Sequence, residues 1–152
     1  KIYTKGDIIR PQYISGESVV ERSIIGEGAE IYGEVHNCVI GADVTIEKGA
    51  VVRDSIIMSG TRIGRNCTID KAIVAENVEV GDNVVFSVGE YAESALNPKV
   101  YAFDLVTVAE NSVIPSDVQI GKNTAIVGKT EAADYPNGLL ASGQAIVKAG
   151  EM

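Results

Sequence analysis

The sequence predicts a triangular parallel β-helix, a solenoid in which three short strands make each coil. Three observations carry that expectation. β-Branched aliphatics dominate, with 20 Val and 18 Ile against only 4 Leu in 152 residues, a bias that favours strands over helices. Large aliphatics recur at steps of six, six and five residues, so Ile40, Ile57 and Val74 stand 17 apart, as do Ile46, Ile63 and Val80. Gly, Asn or Asp falls three residues after ten of these step starts, where a left-handed corner costs those residue types least. A 3.6-residue helix cannot keep every sixth residue on one face. Stacked coils can, and stacking buries an aliphatic column that no single coil could bury.

Residues 1–13, with Arg10-Pro11, form a linker or lead-in. Residues 14–128 carry the repeat, whose starts run from Ile14, Val20 and Ile25 to Val80, then resume at Val108, Ile114 and Ile120. Sixteen such steps make about five coils, roughly 25 Å tall at the usual interstrand spacing. The position four after each start is small or β-branched, from Ile24, Ala29 and Val39 to Ile56, Thr61, Cys67 and Ile73. It is expected to be a second inward position. Six-residue steps place Gly28, Asp43, Gly49, Gly60, Asn66 or Asn77 at the corner, while five-residue steps carry Ser23, Cys38, Ser55 and Ala72 there. The two step lengths therefore need different corners. Gly26, Gly41, Gly64, Gly81 and Gly121 follow a step start, where a side chain would crowd the neighbouring coil.

Residues 87–105 break the period and read as an insertion loop with room for a helical turn around Glu93. Tyr91 and Tyr101 make it a candidate contact surface, since tyrosine is favoured at interfaces. Residues 129–152 hold a turn at Pro136-Asn137-Gly138 and a strand-like run, Ala145 to Lys148. They are expected to cap the open end of the stack.

Composition closes several function classes. Thirteen basic against 21 acidic residues give a net charge of −8, which argues against nucleic acid or an anionic membrane as partner. No apolar run reaches the roughly 18 residues of a spanning helix, and no secretory pattern is present. Cys38 and Cys67 lack metal-ligand spacing and His36 is the single histidine, too few ligands for a Cys/His zinc site. Two unpaired cysteines without a signal segment suit a reducing cytoplasm. A start at Lys1 rather than Met suggests a fragment or processed product. No phosphate loop or nucleotide-binding glycine pattern occurs. No residue is identified as catalytic, cofactor-binding or metal-binding. His36 is the one candidate for general-base chemistry, one residue after Val35 on an outward position and without companions suggesting a coenzyme A groove.

The wording of the repeat narrows the family. Ile2-Tyr3-Thr4 followed by Arg10-Pro11-Gln12-Tyr13-Ile14, then Ser23-Ile24-Ile25-Gly26-Glu27-Gly28, Val35-His36-Asn37-Cys38-Val39-Ile40, Val51-Val52-Arg53-Asp54-Ser55-Ile56-Ile57-Met58 and Tyr135-Pro136-Asn137-Gly138, resembles the C-terminal domain of bacterial glucose-1-phosphate adenylyltransferases. The resemblance spans almost the whole chain. It implies a left-handed coil, where the general crossover rule alone would favour right-handed connections. It also implies a parent enzyme of glycogen synthesis making ADP-glucose and pyrophosphate from ATP and glucose 1-phosphate with Mg²⁺. Catalysis would belong to the parent's own N-terminal domain, so this segment alone should be inactive. Its implied roles are to join subunits of a homotetramer and to help form the site for a phosphorylated effector. Within that site the resemblance places a Lys in the final strand, here Lys148, while a second basic position appears as Glu76. Two readings thus stand beside each other: an assembly and allosteric domain, and a stand-alone hexapeptide-repeat acyltransferase using His36. A γ-type carbonic anhydrase, which needs three histidines, does not fit.

Overall fold

The computed structural model describes residues 8–148; the Ile2-Tyr3-Thr4 part of the lead-in and the last four residues lie outside that range. Three parallel sheets of six, seven and seven strands form the three sides of the solenoid. The first face stacks Tyr13–Ile14, Glu30–Ile31, Thr45–Ile46, Arg62–Ile63, Glu79–Val80 and Val113–Ile114. The second runs from Val19–Glu21 through Glu34–His36, Val51–Arg53 and Thr68–Asp70 to Val85–Val88, Gln119–Gly121 and Leu139–Leu140. The third runs from Ile24–Ile25 through Val39–Ile40, Ile56–Ile57, Ala72–Val74 and Val106–Val108 to Thr124–Val127 and Ala145–Val147. This is the hexapeptide-repeat β-helix expected from the spacing.

The stack is taller than five coils. Twenty strands over three faces make about seven. The additional strands centre on Phe86, Ile126, Leu140 and Ile146, which lie beside the insertion or in the tail, where the repeat is interrupted and the period is hard to read. The insertion does not break the ladders: Val85–Val88 pairs directly with Gln119–Gly121, and Ala72–Val74 with Val106–Val108. No helical turn forms at Glu93. A turn closes instead where Val100 and Tyr101 donate backbone N–H bonds to the Asn97 carbonyl at 3.1 and 2.9 Å.

Step starts fill the core. Ile31, Ile46, Ile63, Ile69 and Ile120 have no exposed surface, and full burial of each such side chain favours folding by about 1.5–3 kcal/mol. The first coil is an end, so Ile14 is 41% exposed and Val20 and Ile25 are half-buried. The inward position four after each start holds in six-residue steps, where Ala29, Thr61, Cys67 and Val78 are buried. It fails in five-residue steps. There Ile24, Val39 and Ile56 are exposed, Ile73 is half-buried, and the buried residues are Cys38, Ser55 and Ala72 one position earlier.

Corner conformation explains the difference. All ten predicted six-residue corners have positive φ, for example Asp43 at 54° and Asn66 at 56°. In five-residue steps the left-handed residue moves one place earlier, to Arg22, Asn37, Asp54 and Lys71. Strand side chains alternate, so an earlier corner turns the next residue inward and the following aliphatic outward. Buried hydroxyls at these positions bridge coils: Ser55 Oγ donates to the Arg53 carbonyl at 2.6 Å and accepts the Ala72 N–H at 3.1 Å. The step-following glycines are crowded as expected; a Cβ on Gly64 would sit 2.4 Å from the Gly81 carbonyl oxygen.

Candidate functional site

Lys148 follows the last strand, and the tail folds a partner onto it. Residues Ala132–Asp134 and Pro136–Gly138 form two short 3-10 turns. Tyr135 between them is buried, its hydroxyl 2.8 Å from Thr130 Oγ1, and burial pushes its pKa up to about 12. That anchor presents Asp134 to Lys148, whose Nζ lies 2.8 Å from Oδ1 and 2.6 Å from Oδ2. The ammonium, together with a backbone N–H from Glu131, holds the Asp134 carboxyl below its usual range. An anion reaching Lys148 must share the ammonium with Asp134 or displace it.

Glu76 lies on the same long edge of the solenoid as Lys148, three strands away in the third sheet. At the usual interstrand distance that is about 14 Å. One phosphate cannot touch both positions. Asp134 was not legible as the partner of Lys148, because 14 residues and two aperiodic turns separate them.

His36 sits at the outer edge of the second face, in register with Glu21 on one side and Arg53 on the other. It does have polar companions. Nδ1 is 3.1 Å from Glu21 Oε2 and Nε2 is 3.1 Å from Glu34 Oε2. The Glu34 bond, then the Glu21 bond, raises the pKa above its ordinary value. A general base needs a free ring nitrogen near its operating pH. With both nitrogens engaged by carboxylates, His36 has no free nitrogen to take a proton from an acceptor and does not suit that task. Counting one coil back from His36 in the repeat finds Glu21, a signal present in the sequence. An open groove beside the ring is lined by Arg22, Asn37, Arg53 and Asp54.

Cys38 and Cys67 are buried and unpaired, and burial raises both thiol pKa values. Cys67 Sγ donates to the Gly81 carbonyl at 3.0 Å. Both act as small core fillers. The residues here do not suit a Mg²⁺–ATP site. Among the described residues no three His, Cys, Asp or Glu side chains converge to hold an ion, and the crowded glycines serve coil stacking rather than a phosphate loop.

Residues 12–94 match a family model described as "GlmU-like, C-terminal hexapeptide". The chain belongs to this family. The match takes in the regular coils and ends inside the insertion, where the hexads stop. Three glucose-1-phosphate adenylyltransferases show how far the similarity extends. That of Lachnospira eligens is 57% identical over 99% of this chain and 36% of its own length. That of Acetivibrio thermocellus is 38% identical over 99% and 35%, and that of Thermotoga maritima 44% identical over 97% and 35%. The resemblance read from the linker and the Ser-Ile-Ile runs is therefore to the right relatives. This member of the family spans about a third of the length of the relatives it matches. Among the described residues no helix is long and apolar enough to cross a membrane.

Proposed function

We propose that this chain is the C-terminal assembly and regulatory domain of a glucose-1-phosphate adenylyltransferase. The parent converts ATP and glucose 1-phosphate, with Mg²⁺, into ADP-glucose and pyrophosphate for glycogen synthesis in the cytoplasm. The observation that carries this reading is 57% identity sustained over 99% of the chain to a relative of that name. The chemistry belongs to an N-terminal domain of the same polypeptide. The solenoid supplies stiffness, flat faces for subunit contact in a tetramer, and an edge where Lys148 helps hold a phosphorylated effector. The acyltransferase reading loses its base once both nitrogens of His36 are bonded to Glu21 and Glu34.

The test compares three preparations under one assay with ATP, glucose 1-phosphate and Mg²⁺. The parent enzyme should form ADP-glucose and respond to a phosphorylated activator. The 152-residue chain alone should form none above a heat-killed control. The parent lacking this segment should lose its oligomeric mass and its activator response. Adenylyl transfer by the isolated chain, or an unchanged mass and response after removal of the segment, would sink the proposal.

A further inference from the structure

Charge is distributed unevenly over the three faces. On the first, the outward residues include Glu30, Arg62 and Glu79; on the second, Glu34, His36, Arg53 and Asp70. The third differs. The residues on either side of its inward step starts are Ile24 and Gly26, Val39 and Gly41, Ile56 and Met58, Ile73 and Ala75, Thr107 and Ala109, Ala125 and Val127, Ala145 and Val147. None carries a charge, in a chain with 34 charged residues. The parallel register aligns Ile24, Val39, Ile56 and Ile73 into one ridge, and its first three members are 68%, 45% and 42% exposed. Beside it runs a strip of Gly26, Gly41, Met58 and Ala75. The strip is low at Gly26 and Gly41 because stacking forbids bulk there, a Cβ on Gly26 lying 2.6 Å from the Gly41 backbone, while Met58 stands 37% exposed between them and Ala75. Farther along, Ala125 is buried, so the apolar surface is most open over the first three coils; an exposed apolar surface of this kind marks an interaction site.

We propose that this third face pairs with the same face of a second copy of the chain, the two solenoids lying side by side and parallel about a two-fold axis along their length. The proposal rests on the reading of the chain as an assembly domain and specifies the face and the orientation. Relief and charge choose the orientation. A two-fold axis along the solenoid sets the ridge of one copy onto the strip of the other at the same height, Ile24 over the partner's Gly26, Val39 over the partner's Gly41 and Ile73 over the partner's Ala75, with Ile56 meeting the partner's Met58 as an apolar contact. An antiparallel arrangement would set ridge on ridge. The face has one mainly acidic edge, with Glu27, Asp43, Glu76 and Glu110 and with Lys148 at its far end, where Asp134 pairs with it, and one mixed edge, with Arg22, Asn37, Asp54 and Lys71. Parallel pairing brings mixed edge to acidic edge coil by coil, so Arg22 meets the partner's Glu27 and Lys71 the partner's Glu76. Antiparallel pairing at full overlap would oppose Glu76 to the partner's Glu76 and Lys71 to the partner's Lys71, with Glu27 against the partner's Lys148 as the opposite-charge contact of that edge. Asp104 meets a like charge in the parallel pair, the partner's Glu110, and Lys71 Nζ stands 4.0 Å from it as a counter-ion. Two chains of charge −8 can approach closely only where charges are absent or complementary. Seven strands span about 29 Å, and a face about 15 Å wide buries at most on the order of 900 Å² in total, in the range of transient interfaces. That is under the roughly 1,000 Å² of a stable interface, so the pair is a weak one that forms at high protein concentration.

Sedimentation equilibrium of the 152-residue chain, from 1 to 200 µM at low salt, tests this. Wild type should pass from monomer to dimer mass across that range. Ile56→Asp, a change at an exposed position, should remain monomeric with an unchanged melting temperature. Arg22→Glu should raise the dimer dissociation constant at least ten-fold, and Arg22→Glu with Glu27→Arg should restore it, because both contacts of the parallel pair are then re-formed with reversed sign. Dimerisation of Ile56→Asp at wild-type strength would overturn the face. An Arg22→Glu effect that Glu27→Arg does not rescue would overturn the parallel orientation. A strictly monomeric wild type at 200 µM would overturn the pairing altogether, whereas the assembly reading falls only if removing this segment leaves the parent's oligomeric mass unchanged.

Discussion

Both ring nitrogens of His36 face carboxylates, and this makes its contribution to stability depend on pH. Glu34 and Glu21 stabilise the imidazolium, so the folded-state pKa lies above the ordinary value of 6.5. Burial opposes them, and so, more weakly, does Arg53, the next residue in the same outward ladder. A raised folded pKa means that the contribution of the charged ring to stability is fully present below about pH 6.5 and is lost as pH rises through the folded pKa. Urea unfolding of wild type and His36→Gln from pH 5 to 9 should show a wild-type advantage in acid that shrinks above neutrality. A difference that grows with pH would reverse the assignment. Lys148 is the other residue whose role turns on one contact. Its ammonium is already bound by Asp134, so Asp134→Asn should free it for an anion while Lys148→Ala should remove it. In the parent enzyme the activator concentration for half-maximal stimulation is expected to fall with Asp134→Asn and to rise with Lys148→Ala. Unmoved activation curves in both variants would take Lys148 out of the effector site.

At the scale of the element, a strand of two or three residues is stable here only because it is one rung of a ladder. Arg62–Ile63 shows the two sides of a rung. Ile63 has no exposed surface, while Arg62 points outward and pairs with Glu47 at 3.2 Å. Ile63→Asp places an unpaired charge in the aliphatic column and is expected to cost about 4 kcal/mol or more. Arg62→Ala removes a partly exposed ion pair and should cost about 0.5 kcal/mol. Thermal unfolding should register the first as a large fall in Tm and the second as a shift of about 1–2 °C. Equal shifts would mean that the inward register is wrong. Register also explains what the sequence misplaced. Counting back from the next step start puts the second inward residue two places before it in both step lengths. Counting four forward holds only where the corner has its full length. Ile24, Val39 and Ile56 look like core residues by composition and become surface because Arg22, Asn37 and Asp54 take the left-handed corner early.

Across the whole molecule, the tail and insertion are built into the stack rather than hung upon it. Leu139–Leu140 and Ala145–Val147 extend the second and third ladders, and Tyr135 and Leu140 join the core. Asn123 ties the insertion down, donating to the Ala92 carbonyl at 2.9 Å and accepting the Asp104 N–H at 2.8 Å. Gly143 lets Glu93 pass, since a Cβ there would meet the Glu93 carbonyl oxygen at 2.3 Å. Tyr91, Leu96, Val100 and Phe103 stay exposed on the loop, a second apolar feature besides the third face. A stiff prism whose third face bears no charge beside its step starts fits the assembly role proposed for it.

The architecture, the aliphatic column and ten of the corners were legible from residue order because each depends on local spacing: the hexad places an aliphatic inward wherever it occurs, and Asn, Asp and Gly mark left-handed positions through their own backbone preferences. The resemblance carried by the linker and the Ser-Ile-Ile runs was legible for the same reason. Contacts between coils were not. His36 meets Glu21 across 15 residues and Lys148 meets Asp134 across 14, pairings set by the length of a coil and the path of an aperiodic tail. The uncharged third face is likewise a sum over seven strands. Each strand contributes two unremarkable residues, and only their parallel stacking gathers them into one surface.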